Sequence, residues 1–309
     1  MDPRRLSGKP AAARRDIFPH FVVALDALRY AMWGAIVAAD SMRRPTLITR
    51  RTFATGACAL TVGVSTSAGR AAHIWPDGKQ AAVSLTYDDS LNSQLDNAVP
   101  QLDGLGLKAT FFLTKENMEE RRDQWIALSK QGHEIADHTV SHPCKLKAYT
   151  SDRFLKEEIE PIESFLDTGF HSPRPRAYAY PCGFVLLGEG SRREKMRAYE
   201  AVLRPTFYAA RTVDGPPNDP AEVADQRYFL NGFEPTYDHD DIHAATAYVA
   251  KAVARGHWAI LIFHEVLNAR QGEGDTSKPV HQAILGHLAR QPVWCAPMRD
   301  VYGWITRGV

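Results

Sequence analysis

Apolar runs of strand length alternate with stretches of helical periodicity from about residue 74 onward. Residues 81–85 form the first apolar run, and residues 91–102 follow with apolar side chains at helical spacing. Further strands are predicted at 108–113, 134–136, 176–180, 205–210, 257–263 and 293–296, and further helices at 118–130, 152–167, 242–255 and 280–290. Such alternation is typical of a parallel sheet with right-handed crossover helices, so the pattern predicts an α/β fold.

One predicted helix contains a proline. Pro161 lies inside residues 152–167, which otherwise carry a single apolar stripe at helical spacing. Proline has no N–H to donate, and its ring collides with the preceding turn of a helix. We therefore expect a kink or a weakened turn near Pro161.

Polar side chains follow several of the predicted strands. Asp88 and Asp89 come after the first strand, His138 and His142 after the third, and His264 after the run 257–263. One Asp and two His suffice to hold a divalent metal with one side open to water and substrate. The second Asp is then free to act as a base. Because the carboxyl ends of parallel strands meet at one mouth of a barrel, the sequence predicts a hydrolytic metal site there.

Each half of this pattern also has a structural explanation. Adjacent Asp residues often lie at solvated strand ends, and His pairs four apart often lie on the surface or in the core. A second such pair, His239 and His243, stands among acids just before the predicted helix 242–255. We interpret that segment as a helix N-terminus, where acidic side chains satisfy free N–H groups. The first set is preferred because His264 adds a third strand end with polar chemistry.

These segments resemble the polysaccharide deacetylase family, metal-dependent carbohydrate esterases related to chitooligosaccharide deacetylase. The family's first motif, Thr-Phe-Asp-Asp-Gly, is matched at 86–90 with Tyr in place of Phe and Ser in place of Gly. Its second, His-Ser/Thr-x-x-His, is matched at 138–142, and its late Leu-x-His motif resembles 262–264. The similarity covers roughly residues 80–305. It implies the family's distorted (β/α) barrel and hydrolysis of N- or O-acetyl groups on a carbohydrate.

The resemblance also implies a role for each residue. Asp89, His138 and His142 would hold a divalent cation, most simply Zn²⁺, with Co²⁺ or Ni²⁺ as alternatives. Asp88 would be the general base and His264 the general acid. The third-motif segment would contribute the backbone N–H of Cys182 to the oxyanion, with Tyr180 on the substrate side.

The chain departs from the family pattern in two places. The third motif commonly reads Arg-Pro-Pro-Tyr-Gly, with the Arg orienting the base, but Ala179 occupies the Arg position and Cys182 the Tyr position. What holds Asp88 in place is therefore not apparent from this motif. The fourth motif is only loosely matched at 211–214, and no role is assigned to Asp214.

The front of the chain differs in charge from the rest. Residues 1–70 contain eleven Lys and Arg against four Asp, a net charge of +7, which leaves −6 for the remainder of a chain whose net charge is +1. An acidic body argues against a nucleic-acid groove. The basic part includes Arg50 and Arg51, then an apolar stretch at 54–64 and small residues to 72. This resembles a twin-arginine signal peptide, so we expect export by the twin-arginine translocation machinery to the periplasm or the exterior.

Three segments follow from this interpretation. Residues 1–41 precede the signal and include an apolar stretch at 21–39 that Asp26 and Arg29 interrupt, so no stable membrane span is expected. We interpret 1–41 as a start-site misassignment or a helical or disordered extension. Residues 42–72 are the signal peptide, and 73–309 form the catalytic domain.

Aromatic and cysteine residues add two open questions. Phe184, Tyr237 and Trp258 are either sugar-stacking platforms or core residues. After the leader, Cys144, Cys182 and Cys295 remain, an odd number that excludes a disulfide framework. Cys144 and Cys182 should line the same mouth, either bridged or as free thiols.

Two other functions compete with carbohydrate deacetylation. The same residues could hydrolyse the amide of a small cyclic or ureido compound, although an export signal argues against this. An inactive scaffold that binds the cell wall is the third interpretation, since the third motif is altered. Metal content separates the scaffold from both enzymes.

Overall fold

The computed structural model describes residues 75–307, and the leader and start-site predictions lie outside these residues. The strands are β1 (Ala81–Asp88), β2 (Thr110–Leu113), β3 (Glu134–Asp137), β4 (Arg176–Ala179), β5 (Phe207–Arg211), β6 (Trp258–Phe263), β7 (Val266–Leu267), β8 (Thr276–Ser277) and β9 (Val293–Cys295). The main sheet is parallel throughout, with the order β5-β4-β3-β2-β1-β6, and β9 pairs with the first half of β1. β7 and β8 form a separate two-stranded sheet.

Helices connect the parallel strands, as the alternating pattern predicts. They are α1 (Val99–Asp103), α2 (Lys115–Met118), α3 (Arg122–Ser129), α4 (Ser151–Phe154), α5 (Glu160–Leu166), α6 (Arg192–Leu203), α7 (His243–Arg255), α8 (Lys278–Leu288) and α9 (Met298–Arg307). Between residues 75 and 307, none of the helices has the length and apolar character that a membrane crossing requires.

The sheet curves into a distorted barrel that an irregular segment closes. The N–H of Thr212, just after β5, donates to the carbonyl of Leu230 at 2.8 Å, and the N–H of Phe233 donates to Ile260 of β6 at 2.9 Å. Residues 230–233 therefore lie between the two edge strands. The predicted distorted (β/α) barrel is confirmed.

Alternation along β1 separates the helix-facing core from the barrel interior. Val83, Leu85 and Tyr87 pack in the cluster beneath the helices. The intervening side chains of Ser84 and Thr86 instead donate to the carbonyls of Ala296, just after β9, and of Leu261 in β6. Because successive side chains of a strand point to opposite faces, this period places the last residue, Asp88, inside the barrel mouth.

Two helices, α1 and α5, directly follow a π-helical turn, and each has a proline at its second residue. Gln94–Ala98 is π-helical before Pro100 in α1, and Leu155–Ile159 is π-helical before Pro161 in α5. A proline cannot donate to the carbonyl four residues earlier, and a wider turn relieves the collision of its ring. The expected distortion near Pro161 is confirmed as such a turn.

Candidate active site

The predicted site residues meet at the carboxyl ends of β1, β3 and β6. Nε2 of His138 and Nε2 of His142 each lie 3.5 Å from Oδ1 of Asp89. Oδ2 of Asp88 lies 3.8 Å from Nε2 of His138 and 4.0 Å from Nε2 of His264. Five side chains that are up to 176 positions apart in sequence therefore share one small volume.

The turns that present these residues adopt unusual backbone conformations. Of the six described non-glycine residues with positive φ, five lie here: Asp89 (77°), Ser90 (58°), Thr139 (73°), His142 (53°) and Cys182 (54°). Such conformations cost free energy and concentrate at functional sites, where the surrounding structure holds them. The concentration at the mouth of the barrel supports the assignment of a site there.

Ser90 shows how the chain tolerates the loss of a glycine from the first motif. Glycine adopts a φ of 58° without steric cost, whereas Ser90 carries a side chain at that angle. Its Oγ accepts from the N–H of Thr114 at 2.8 Å and donates to the Thr114 carbonyl at 3.2 Å. These two bonds tie the Asp88–Asp89 turn to the end of β2.

Asp89, His138 and His142 have the properties of a cation site. Oδ1 of Asp89 is buried and has no hydrogen-bond partner, which leaves an anionic oxygen facing two imidazoles. Nδ1 of His138 donates to the Ala179 carbonyl at 2.9 Å, so its Nε2 lone pair points toward Asp89. Burial lowers the pKa of His138 to about 4, so the ring is neutral at physiological pH, as a metal ligand must be. The three residues fit a divalent cation.

The partner of Asp88 is Arg211, at the end of β5. Nη2 of Arg211 lies 2.6 Å and 2.5 Å from the two carboxylate oxygens, and both side chains are buried. The guanidinium also lies over the ring of Phe112, 4.9 Å from its centroid. Burial alone would raise the pKa of Asp88, but the charge of Arg211, with that of the His264 imidazolium, holds it below the ordinary value. Asp88 is thus ionised and fixed.

His264 is held by a second carboxylate. Its Nδ1 donates to Oε1 of Glu234 at 2.9 Å, which leaves Nε2 facing Asp88. Burial lowers the pKa of His264, but the hydrogen bond and charge of Glu234, with the charges of Asp88 and Asp89, offset this and raise it to about 9. The imidazole keeps 29% of its surface exposed, so solvent screens part of this effect. A proton donor therefore stands opposite the carboxylate of Asp88.

The rim beside His142 is cross-linked. Cys144 and Cys182 form a disulfide, with Cα atoms 5.7 Å apart, that joins the loops after β3 and β4. Both sulfur atoms lie near Nδ1 of His142, at 3.9 Å and 4.0 Å. Of the two arrangements that the sequence left open, the structure contains the bridged one, and Cys295 is the free cysteine of the described chain.

Tyr180 does not present its side chain to the mouth. The ring is 1% exposed, and its hydroxyl donates to the Tyr228 carbonyl at 2.9 Å within an aromatic cluster that includes Tyr199. Alternation along the β4 segment places this ring in the outer core, so only the backbone of Tyr180 can contribute to the site. The N–H of Gly183 donates to the Tyr180 carbonyl and forms the tight turn that carries Cys182.

The three aromatic residues considered as sugar platforms separate into two groups. Trp258 is completely buried, and its Nε1–H donates to Oγ of Ser84, so it belongs to the barrel interior. Phe184 and Tyr237 are each 43% exposed, on loops that follow β4 and the closing segment. Their exposed rings remain available to a ligand.

The segment around His239 and His243 was predicted correctly from the sequence, whereas two residues of the site were missed. Oδ1 of Asp241 accepts from the N–H of His243 at the start of α7, as expected for a helix N-terminus. Arg211 and Glu234 were not identified. Arg211 carries the same signal as Asp88, a charged residue ending an apolar strand, and that signal could have identified it. Glu234 follows an irregular segment that has no periodic pattern.

Parts of the chain are similar in sequence to known proteins. Residues 76–191 match the family model for polysaccharide deacetylases. A peptidoglycan-N-acetylglucosamine deacetylase from Bacillus cereus is 30% identical over 96 residues, which are 31% of this chain and 34% of that protein. A gellan lyase from a Bacillus species is 32% identical over 111 residues, 36% of this chain and 4% of the lyase. The chain thus spans well under two thirds of the length of either relative.

Solved structures share the fold. A Mycobacterium smegmatis protein assigned as a polysaccharide deacetylase superimposes with a TM-score of 0.53 at 18% identity, over 75% of this chain and 92% of that one. A peptidoglycan N-acetylglucosamine deacetylase in complex with a substituted benzamide gives 0.50 at 19% identity, over 74% and 90%. At these identities the likeness concerns the fold.

Proposed function

We propose that the chain, whose residues 76–191 match the family model for polysaccharide deacetylases, hydrolyses N- or O-acetyl groups on a carbohydrate with the help of a divalent cation. The observation that carries this proposal is the cluster of Asp89, His138 and His142 beside Asp88 and His264. A cation-binding triad next to an ionised carboxylate and a protonated imidazole is the set of groups that amide or ester hydrolysis requires.

Asp89, His138 and His142 would hold the cation through one oxygen and two nitrogens. This donor set suits Zn²⁺, and Co²⁺ or Ni²⁺ are also compatible with it. When bound, such an ion acts as a Lewis acid toward the acetyl carbonyl and lowers the pKa of a bound water. The unpartnered Oδ1 of Asp89 supports this assignment, because a buried anionic oxygen without a partner is costly.

Asp88 is the proposed general base. Arg211 keeps its carboxylate ionised and fixes its orientation, so Asp88 can take a proton from the attacking water. Its place beside the triad, 3.8 Å from Nε2 of His138, supports this role without requiring that it bind the metal.

His264 is the proposed general acid. Glu234 holds its Nδ1–H, so the proton on Nε2 can be delivered to the leaving amine or alcohol. The pKa of about 9 keeps the metal-free imidazole protonated at neutral pH. A dication on the triad would repel the imidazolium and lower the pKa of His264. We therefore expect this pKa to lie below about 9 in the metal-loaded enzyme.

The substrate would meet the rim formed by the loops after β4 and the closing segment. The backbone N–H of Cys182 is a candidate donor to the oxyanion, and the 4.0 Å distance between the Cys182 sulfur and Nδ1 of His142 supports this role. The exposed rings of Phe184 and Tyr237 are candidate platforms for sugar rings. Export by the twin-arginine machinery to the periplasm or exterior would bring the protein to such a glycan.

Two measurements test this function. Acetate release should be assayed on chitooligosaccharides, peptidoglycan fragments, poly-N-acetylglucosamine and acetylxylan, with a small N-acetyl amide as comparison, and metal content measured on the same samples. Release from at least one glycan with one divalent ion per chain is expected. Release from the small amide alone would indicate an amidohydrolase instead, and a chain without metal or activity would indicate an inactive scaffold.

The variants His138→Ala and Asp88→Asn separate metal binding from proton transfer. His138→Ala should lose metal and activity together, because two ligands hold a divalent ion poorly. Asp88→Asn should keep the metal and lose turnover by about 10²–10⁴-fold. Near-normal turnover in Asp88→Asn would contradict the assignment of the base.

A further inference from the structure

Gln94 connects the backbones that carry the two proton-transfer residues. Its side chain is completely buried, and Nε2 donates to the carbonyl of Asp88 at 2.5 Å and to the carbonyl of His264 at 3.2 Å. One amide group thus holds the end of β1 and the residue after β6. Its Oε1 is buried without a partner.

The position of Gln94 depends on the π-helical turn before α1. Pro100 cannot donate to the carbonyl of Asp96, and the chain widens so that the N–H of Val99 reaches the carbonyl of Gln94, five residues earlier. The turn begins at Gln94 itself. Gln94, the first residue of this widened turn, lies between the ends of β1 and β6, where its side chain reaches both.

Neighbouring polar side chains strengthen the same connection. Oγ of Ser93 accepts from the N–H of Val266 at 3.0 Å and also donates to the carboxylate of Glu265. Nδ2 of Asn97 donates to the Val266 carbonyl at 2.6 Å. Ser93, Gln94 and Asn97 together bind residues 264–266, the segment that carries His264. We call these three residues the polar clasp.

We propose that Gln94 is a positioning residue that fixes the separation between the Asp88 carboxylate and the His264 imidazole. The inference rests on the proposed function, because it assigns those groups as base and acid. Glu234 and Arg211 orient each side chain separately, whereas Gln94 is bonded to both backbones. It therefore controls the distance between them, 4.0 Å from Nε2 to Oδ2.

Loss of the clasp should affect turnover rather than binding. The water that Asp88 deprotonates attacks the same acetyl group whose leaving group His264 protonates, so both residues must fit one bound substrate at the same time. A displacement of about 1 Å can cost on the order of 10²-fold in rate. The cation triad does not include Gln94 or its two acceptor residues, so metal content should not change.

The test compares Gln94→Met with Gln101→Met. Gln101 lies in α1, and its Nε2 also donates to a backbone carbonyl, that of Lys278, but away from the mouth. In Gln94→Met we expect kcat on an N-acetyl glycan to fall by about 10–100-fold, with KM within about twofold and metal content unchanged. Gln101→Met should show a similar loss of thermal stability and a kcat within about threefold of the parent. Equal losses of kcat in both variants would overturn the proposal.

Two further measurements keep the test decisive. Crystal structures of the parent and Gln94→Met should show the His264–Asp88 separation lengthened, and an unchanged separation would overturn the proposal whatever the activity. A parent chain that releases no acetate would refute the proposed function, and the separation would still decide the role of Gln94. If Gln94→Met does not fold, Asn97→Leu removes another bond of the clasp and should lower kcat in the same direction, with no change refuting the idea.

Discussion

Asp88 keeps its negative charge because the guanidinium of Arg211 lies beside it. Both partners are buried, and a buried carboxylate without Arg211 would face the full cost of desolvation. Ala179 stands where the third motif of polysaccharide deacetylases commonly has an Arg, yet β5 supplies an Arg to the Asp88 carboxylate from the neighbouring strand. The partner of Asp88 thus comes from a different strand, which a motif comparison along the chain does not reveal.

Removal of this guanidinium gives the first prediction. In Arg211→Met, burial is no longer opposed by the adjacent charge, so the pKa of Asp88 should rise. A base works only when it is deprotonated. As the pH falls, the variant should therefore lose activity at a higher pH than the parent does. The pH profile of kcat/KM measures this shift of the acidic limb. An unmoved limb would show that Arg211 does not set this pKa.

Stability provides the control for that variant. Leaving one partner of a buried ion pair alone typically costs about 3–5 kcal/mol. Adding Asp88→Asn to Arg211→Met removes the unpaired charge, so the double variant should recover part of the lost unfolding free energy in denaturant titrations. Arg211→Lys keeps the charge without the forked geometry and should fall between the parent and Arg211→Met.

His264 gives a second prediction, on the opposite limb. Its pKa is raised by Glu234, so the protonated acid is present below that value and activity should fall as pH rises through it. In Glu234→Gln the hydrogen bond remains possible but the charge is gone, so the basic limb should move to lower pH. Profiles of kcat/KM for parent and variant, both saturated with metal, measure the difference. A basic limb that does not move would mean that another group supplies the proton.

At the scale of elements, the strands of the main sheet could be predicted well from the sequence, whereas the helices were predicted less well, since α6 and α9 were missed. The six strands of the main order were predicted because each is an apolar run bounded by turn residues, and β1 differs from its prediction by extending to Asp88. The predicted helix 91–102 is instead π-helical from Gln94 to Ala98, because Pro100 cannot donate a hydrogen bond to the turn that precedes it. The residues of that turn have an ordinary helical pattern in the sequence. Periodicity does not encode such a turn, and the clasp of Gln94 was therefore not foreseeable.

The loops after β3 and β4 give the third prediction, because Cys144 and Cys182 join them. Cross-linking two residues 38 positions apart restricts the unfolded chain and typically contributes about 4 kcal/mol. Cys144→Ser should therefore lower the melting temperature and, by loosening the rim around His142 and Cys182, reduce turnover more than metal content. Cys295→Ser is the matched control, as that thiol is free. A Cys144→Ser variant as stable as the control would mean that the bridge is not formed in solution.

At the scale of the whole molecule, the site is a consequence of closing the sheet. Asp88, His138 and His264 lie at the ends of parallel strands, and that placement could be predicted from strand–helix alternation alone. Glu234 could not, since it comes directly after the irregular segment 230–233 that closes the barrel through backbone hydrogen bonds of Leu230 to the β5 side and of Phe233 to β6. Such a segment has neither apolar alternation nor helical spacing, so only the folded chain shows that it brings a carboxylate to His264.

Export, the step that would bring the protein to the proposed glycan, gives the last prediction. It concerns residues outside the described part of the chain. The receptor for twin-arginine signals reads both guanidinium groups, so the double variant Arg50→Lys, Arg51→Lys should accumulate in the cell with residues 42–72 still attached. Fractionation with immunoblotting and mass spectrometry of the N-terminus measures this. Arg43→Lys, Arg44→Lys is the matched control, because it makes the same change at a nearby arginine pair and should leave export intact. Normal export of the first variant would show that the pair at 50–51 is not a targeting signal, and equal retention of both would indicate that export needs arginine at both pairs rather than a specific signal at 50–51.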